Sequence, residues 1–291
     1  MVKSKKYGSP LEEAIELLKK AAAAVENADP ATDARLLKRE QLALEQLGQA
    51  LLSRASKIDP VIRPESIFDP ADPKTAGRVI ALTMVAQDKH SLADLPAFYG
   101  AGVYANYYRG PFKPYQPLQR TDHPIYVGKA DPNSTEAKTA TSQGAKLYQR
   151  LNEHSKSISK AKDTLKLTDF DCRFLVVQTG FQASAEAYLI DFFKPIWNSE
   201  TKVCGGLGKH GDSATTRANK RSPWDTLHPG RLWADATKGN QVEPADIRTQ
   251  IAAHFRKHPP YQDMHAVFDH FMGEMRQIRR PVPVSMASGA A

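Results

Sequence analysis

The chain has only two cysteines in 291 residues, Cys172 and Cys204. Two cysteines cannot build a disulfide framework, and these two form no C-x-x-C pair for zinc. A reducing, cytoplasmic location is the expectation. Long apolar runs are also missing. Nowhere do ten apolar residues follow one another, and mean hydropathy is −0.49, which argues against a transmembrane helix and against a membrane partner. The N-terminal stretch Met1-Val2-Lys3-Ser4-Lys5-Lys6-Tyr7-Gly8 is basic but has no apolar segment behind it, unlike a secretory signal. No internal repeat is visible.

What is present is positive charge. Forty Lys and Arg oppose 32 Asp and Glu, giving a net charge of +8 and a pI near 9.3. An excess of this sign favours polyanionic partners, because each base that meets a phosphate releases condensed counterions. The length suits one large domain or two modest ones.

Along the chain, Leu11, Ile15, Leu18 and Ala22 recur at helical spacing behind Pro10, and Asn27-Ala28-Asp29-Pro30 breaks the run. Leu36, Leu37, Leu42, Leu44, Leu47 and Leu51 predict a second helix from about 30 to 57, so the start of the chain reads as a helical hairpin. Prolines at 60, 64, 70 and 73 mark a connector, followed by a short helix over 75–90. Then come strands at 98–108 and 125–130, a helix over 144–157, a strand at 170–178 and a helix over 184–193. The Pro-rich stretch 109–124 between the first two strands reads as an exposed insertion. This β-β-α-β-α order in about 100 residues predicts a compact α/β (α+β) unit with a small, mainly antiparallel sheet flanked by helices. Residues 1–90 form an N-terminal helical region, 91–200 the core, and 201–291 a basic loop and helical extension packed on that core. Helical patterning returns over 245–257 and 264–278, and the tails at 1–10 and 281–291 read as loose.

Five groups in the middle unit draw notice together. Gly102-Val103-Tyr104 and Tyr126-Val127-Gly128 lie on the two paired strands. Arg150 and His154 sit four apart on one helix face. Glu186 opens the later helix, and Asn198 follows it. Singly, each has a plain structural reading: strand packing for the tyrosines, a solvated face for Arg150, a first-turn carboxylate for Glu186 and a turn for Asn198. In this order, on these elements, they resemble the GIY-YIG nuclease superfamily. Valines stand where isoleucine is usual, and the tyrosines lie 22 residues apart because of the 109–124 insertion. Arg150-x-x-x-His154, the insertion and the Trp224–Arg231 stretch are similar to the type II restriction endonuclease branch, and within it to enzymes cutting CCGCGG.

The resemblance implies Mg²⁺-dependent hydrolysis of DNA phosphodiesters, with Mn²⁺ as an acceptable substitute. Tyr104 would be the general base assisted by His154, Tyr126 would position water or phosphate, Arg150 would meet the scissile phosphate, Glu186 would hold the metal, and Asn198 would orient the site. Lys129 is placed to hold a phosphate. Arg109, Lys113 and Arg120 in the insertion, with Lys209, Arg217, Lys220 and Arg221, are the candidate DNA-binding residues, since Arg and Lys read guanine in the major groove. A palindrome predicts a homodimer, and a restriction enzyme requires a cognate DNA methyltransferase. No Gly-rich strand–loop–helix fingerprint here supplies that second activity. Competing readings are a repair or homing-type GIY-YIG enzyme and a non-catalytic DNA-binding protein. A covalent tyrosyl mechanism would leave Glu186 without a role.

Overall fold

Helix α1 spans Pro10–Glu26 and begins in a reciprocal cap. The Glu12 N–H donates to the Ser9 hydroxyl at 3.2 Å, and the Glu12 carboxylate accepts from the Ser9 N–H at 2.7 Å. Helix α2 spans Ala34–Ile58, with the Asp33 carboxylate accepting from the Arg35 and Leu36 N–H groups. The computed structural model describes residues 9–59, 61, 69, 71–208, 221–236 and 242–277. Of the tails expected at 1–10 and 281–291, residues 1–8 and 281–291 fall outside the described residues, as do Lys209, Arg217 and Lys220; Ser9 and Pro10 are not loose but cap and open α1.

The chain divides into two units, one carrying α1 and α2, the other spanning 65–280. The division falls ahead of the residue-90 boundary expected from the sequence. The reason is helix α3 (Pro73–Val85), which buries Gly77, Ala81, Met84 and Val85 in the core of the second unit.

The second unit is built on a sheet of β1 (His90–Ser91), β2 (Gly102–Tyr108), β3 (Tyr126–Ala130) and β4 (Phe170–Val176). The spatial order is β1-β4-β2-β3, and every pairing is antiparallel. All seven residues of β2 are buried, because helices cover both faces. Tyr104 and Tyr108 point toward Leu147, Leu151 and Ile158 of α5 (Lys146–Lys160). Val103, Ala105 and Tyr107 point the other way, toward α3 and toward Ala185, Leu189 and Phe193 of α6 (Gln182–Phe193). The expected α/β architecture is therefore the one observed, with an additional two-residue strand at its edge. Short helices α4 (Ala140–Gln143), α7 (Pro223–Leu227) and α8 (Leu232–Asp235) and the longer α9 (Pro244–Lys257) and α10 (Met264–Gln277) complete the unit.

The 109–124 segment is more than an exposed loop. Its 3₁₀ turn, Lys113–Leu118, buries Tyr115 and Leu118. The Tyr115 hydroxyl accepts from the Trp197 indole N–H at 3.0 Å and lies 2.6 Å from His228 Nε2. His228 Nδ1 in turn lies 2.9 Å from the Thr164 hydroxyl. A buried polar network thus joins the insertion to the segment after α7.

Candidate functional site

The two tripeptides sit side by side because β2 and β3 pair, with Tyr104 opposite Gly128. Each glycine marks a close approach. A Cβ on Gly102 would lie 2.0 Å from the Leu175 carbonyl oxygen on β4, and one on Gly128 would lie 2.5 Å from the Tyr104 hydroxyl. The Tyr104 ring lies across Gly128, where any side chain would displace its oxygen.

Tyr104 is wholly buried and its hydroxyl is 2.6 Å from Nε2 of His154, itself 1% exposed. Burial, with Tyr126 beside it, drives the Tyr104 hydroxyl well above the ordinary tyrosine range, and Arg150 opposes that rise. The Tyr104 and Tyr126 rings lie side by side, with centres 6.1 Å apart. Tyr126 is also raised by burial, and Arg150 is the main group holding it down. Arg150 and His154 do share one face of α5, as their spacing requires, and Arg150 Nη1 also pairs with Glu153 at 2.7 Å.

Strand β3 is the sheet edge, and the site wraps around it. Tyr126 and Arg150 come from one side, Glu186 of α6 from the other. The Asn198 side chain clamps the edge: its oxygen accepts from the Val127 N–H at 2.9 Å, and its nitrogen donates to the Val127 carbonyl at 2.9 Å. Both ends of the amide are engaged with backbone, so Asn198 fixes the strand beneath Tyr126. Tyr126, Arg150, Glu186 and Asn198 line one cleft of about 310 Å³ with Trp197, Ser199, Glu200, Gly206 and Gly208. Arg150 and His154 also border a neighbouring cleft of about 270 Å³ that reaches Arg231 and Trp233.

Burial raises the Glu186 carboxyl above the usual carboxylate range. Lys129 lowers it, by charge and by a hydrogen bond from its backbone N–H, while Glu200 and Asp131 push it up again. Glu200 is thus a second carboxylate of the cleft. Nothing in the sequence singled it out, since a Glu in a three-residue turn after Asn198 has no pattern. Among the described residues no group of three or more His, Cys, Asp or Glu converges to hold a metal. A cation here would take one or two carboxylates and keep most of its waters, which is the habit of Mg²⁺. The charge of a bound cation would also offset the burial that disfavours ionised Glu186.

The remaining candidates are scattered. Lys129 pairs with Asp131, next to Glu186. Arg109 donates to the Thr168 carbonyl at 2.9 Å and pairs with Asp171 at 3.4 Å. Arg221 pairs with Asp235 and is mostly buried. Arg120 is exposed in a left-handed backbone conformation. Lys113 lines a separate groove of about 920 Å³ with Arg248, Arg256 and Phe255. Sequence reasoning gave Arg231 no role. It forms a buried ion pair with Asp225 (2.7 Å) and donates to the Leu207 and Gly206 carbonyls at 3.0 and 2.9 Å. Its guanidinium lies 4.6 Å from the Trp224 ring centre and 4.9 Å from that of Trp233. It thereby holds Gly208, where a Cβ would stand 3.2 Å from the Arg150 guanidinium. The only hint was the Trp224–Arg231 run, which spacing alone cannot interpret. Cys172 and Cys204 are buried, with thiols pushed up to about 12, and serve as packing rather than as nucleophiles.

A family model described as the Eco29kI GIY-YIG domain matches residues 96–255. No curated protein matches the chain. Among the described residues no helix is long and apolar enough to cross a membrane.

Proposed function

Because the chain belongs to the Eco29kI GIY-YIG family of restriction endonucleases, whose substrate is DNA, we propose that it is a Mg²⁺-dependent type II enzyme that cuts both strands at a short GC-rich palindrome. The observation that supports this most is the convergence of Tyr126, Arg150, Glu186 and Asn198 on one cleft, with the Tyr104–His154 pair directly behind it. CCGCGG is the site we assign, on the likeness of residues 98–231 to enzymes of that specificity.

In this reading Arg150, permanently charged and planar, receives the scissile phosphate and stabilises the charge that builds on it. Glu186 holds the cation, with Glu200 across the cleft; when bound, Mg²⁺ supplies Lewis acidity and steadies the leaving 3′ oxygen. Tyr104 has no exposed surface, so it meets the attacking water through Tyr126. The water's proton passes to Tyr126, Tyr126 passes its own to Tyr104, and Tyr104 passes its own to His154. At neutral pH an imidazole is already in a form that can accept a proton, whereas the buried Tyr104 phenolate is scarcely populated. Asn198 keeps Tyr126 in place by clamping Val127.

A palindrome is met by a two-fold pair of chains, one active site per strand. The active enzyme is then a homodimer, and a separate cognate methyltransferase protects the host DNA. Glu186→Ala tests the reading. Cleavage is expected to fall by at least a thousandfold, while DNA binding in Ca²⁺ or EDTA stays within a few fold. Unchanged cleavage would remove Glu186 from the mechanism, and a wild-type chain that only binds DNA would favour a non-catalytic role.

A further inference from the structure

Helices α1 and α2 bury no residue at all. Yet 13 of the 21 large apolar side chains exposed in the described residues lie on these two helices. They are patterned. Leu11, Ile15 and Leu18 form a stripe on α1, and Leu37, Leu44 and Leu51, seven residues apart, form one on α2. Helices of 17 and 25 residues draw most of their stability from packing such a face. A face of leucines left in water is an interface without its partner.

We infer that these stripes are the surface on which two copies of this chain associate, α1 of one copy against α2 of the other. Three observations select a second copy. The first is area: the 13 exposed large apolar side chains of these helices, at roughly 40–80 Å² each, offer about 500–1,000 Å² per copy, a range that spans the ~800 Å² a stable interface buries on each side. The second is charge. Helix α1 carries four Glu against two Lys, whereas α2 carries five Lys and Arg against two Glu. An α1-to-α2 contact between copies therefore brings opposite signs together along the rim, and a two-fold axis makes it twice. The third is composition. The exposed large apolar side chains of the two helices are only Leu, Ile and Val, which interdigitate between helices, with no aromatic side chain that would anchor into a foreign pocket. These helices precede residue 96, where the family match begins, so the pairing surface is an addition to the nuclease domain. The inference rests on the proposed function only for its purpose, which is to bring two cleavage sites to one palindrome.

The test is the mass of the full-length chain in solution, by light scattering at micromolar concentration, for wild type and for Leu44→Glu/Leu51→Glu. The expected result is a dimer for wild type and a monomer for the variant, with the near-ultraviolet circular dichroism of the second unit unchanged. As a milder second variant, Leu44→Ala/Leu51→Ala should raise the dimer dissociation constant at least tenfold without loss of fold. A variant that stays dimeric overturns the inference and places the interface elsewhere. A monomeric wild type overturns it too and assigns the stripes another cover. Mass is read without DNA or cleavage, so either failure leaves the nuclease reading to its own tests.

Discussion

The Tyr104 hydroxyl stands 2.6 Å from Nε2 of His154, and neither side chain reaches solvent. In the tautomer with its proton on Nδ1, the imidazole accepts from the Tyr104 hydroxyl through Nε2 and ends a short chain of tyrosines. Burial alone would make Tyr104 useless as a base, because its phenolate is pushed well above the ordinary range. The histidine removes the need to form a free phenolate.

This relationship predicts a distinct pH signature for the His154→Ala variant. Its cleavage rate should drop by roughly 10²- to 10⁴-fold, the usual worth of general acid–base assistance. The residual rate should then rise about tenfold per pH unit between pH 7 and 9. The sign follows from the raised Tyr104 value: at every pH in that window the phenolate is the minor form, and its fraction grows tenfold with each unit. Tyr104→Phe should lose cleavage without this recovery. Steady cleavage by His154→Ala, or a flat profile, would remove the pair from catalysis.

Arg231 and Asp225 form an ion pair with 2% and 1% of their side-chain surface exposed. Replacing Arg231 with Met leaves Asp225 charged, buried and unpaired, and should cost ~3–5 kcal/mol in denaturant titrations. Arg231→Lys keeps the charge but lacks the planar fork whose Nε, Nη1 and Nη2 reach Asp225, Leu207 and Gly206 separately. It should fold closer to wild type and lose kcat more than DNA affinity, since Gly206–Gly208 lie beside Arg150. Equal loss of kcat and affinity would reduce Arg231 to a purely structural role.

His123 and His228 are buried and pulled down to about 3. Desolvation is the main cause in both, and His254 adds to it for His123. The unfolded chain binds these protons near pH 6.5 and the folded chain does not, so stability is full above pH 6.5 and falls as the pH drops toward 3. Each contributes on the order of a few kcal/mol across that window. A His228→Gln variant should show a shallower loss of unfolding free energy between pH 6.5 and 4 than wild type. An identical slope would mean that His228 does not titrate on unfolding.

The sequence carried the strands and helices of the core, because apolar spacing and the two glycine-bearing tripeptides are local signals. It also brought Arg150 and His154 to one face, since four residues is one helical turn. Contacts between distant segments were not legible. Asn198 reads as a turn residue until Val127, 71 positions earlier, is seen to receive both ends of its amide. Helix α3 reads as part of the N-terminal region, and only its packing on α6 places it in the core. Strand β1 has two residues, too few for any alternation. Arg109 and Arg221 count as free positive charge in composition but are held by Asp171 and Asp235. Charge totals do not reveal such partners.

The most direct measurement is digestion of unmethylated plasmid carrying CCGCGG sites, with Mg²⁺ and with EDTA, resolved on a gel. Discrete fragments whose sizes match the spacing of those sites are expected, and only with Mg²⁺. Fragments that persist in EDTA, random smearing, or intact plasmid at high enzyme would contradict this expectation.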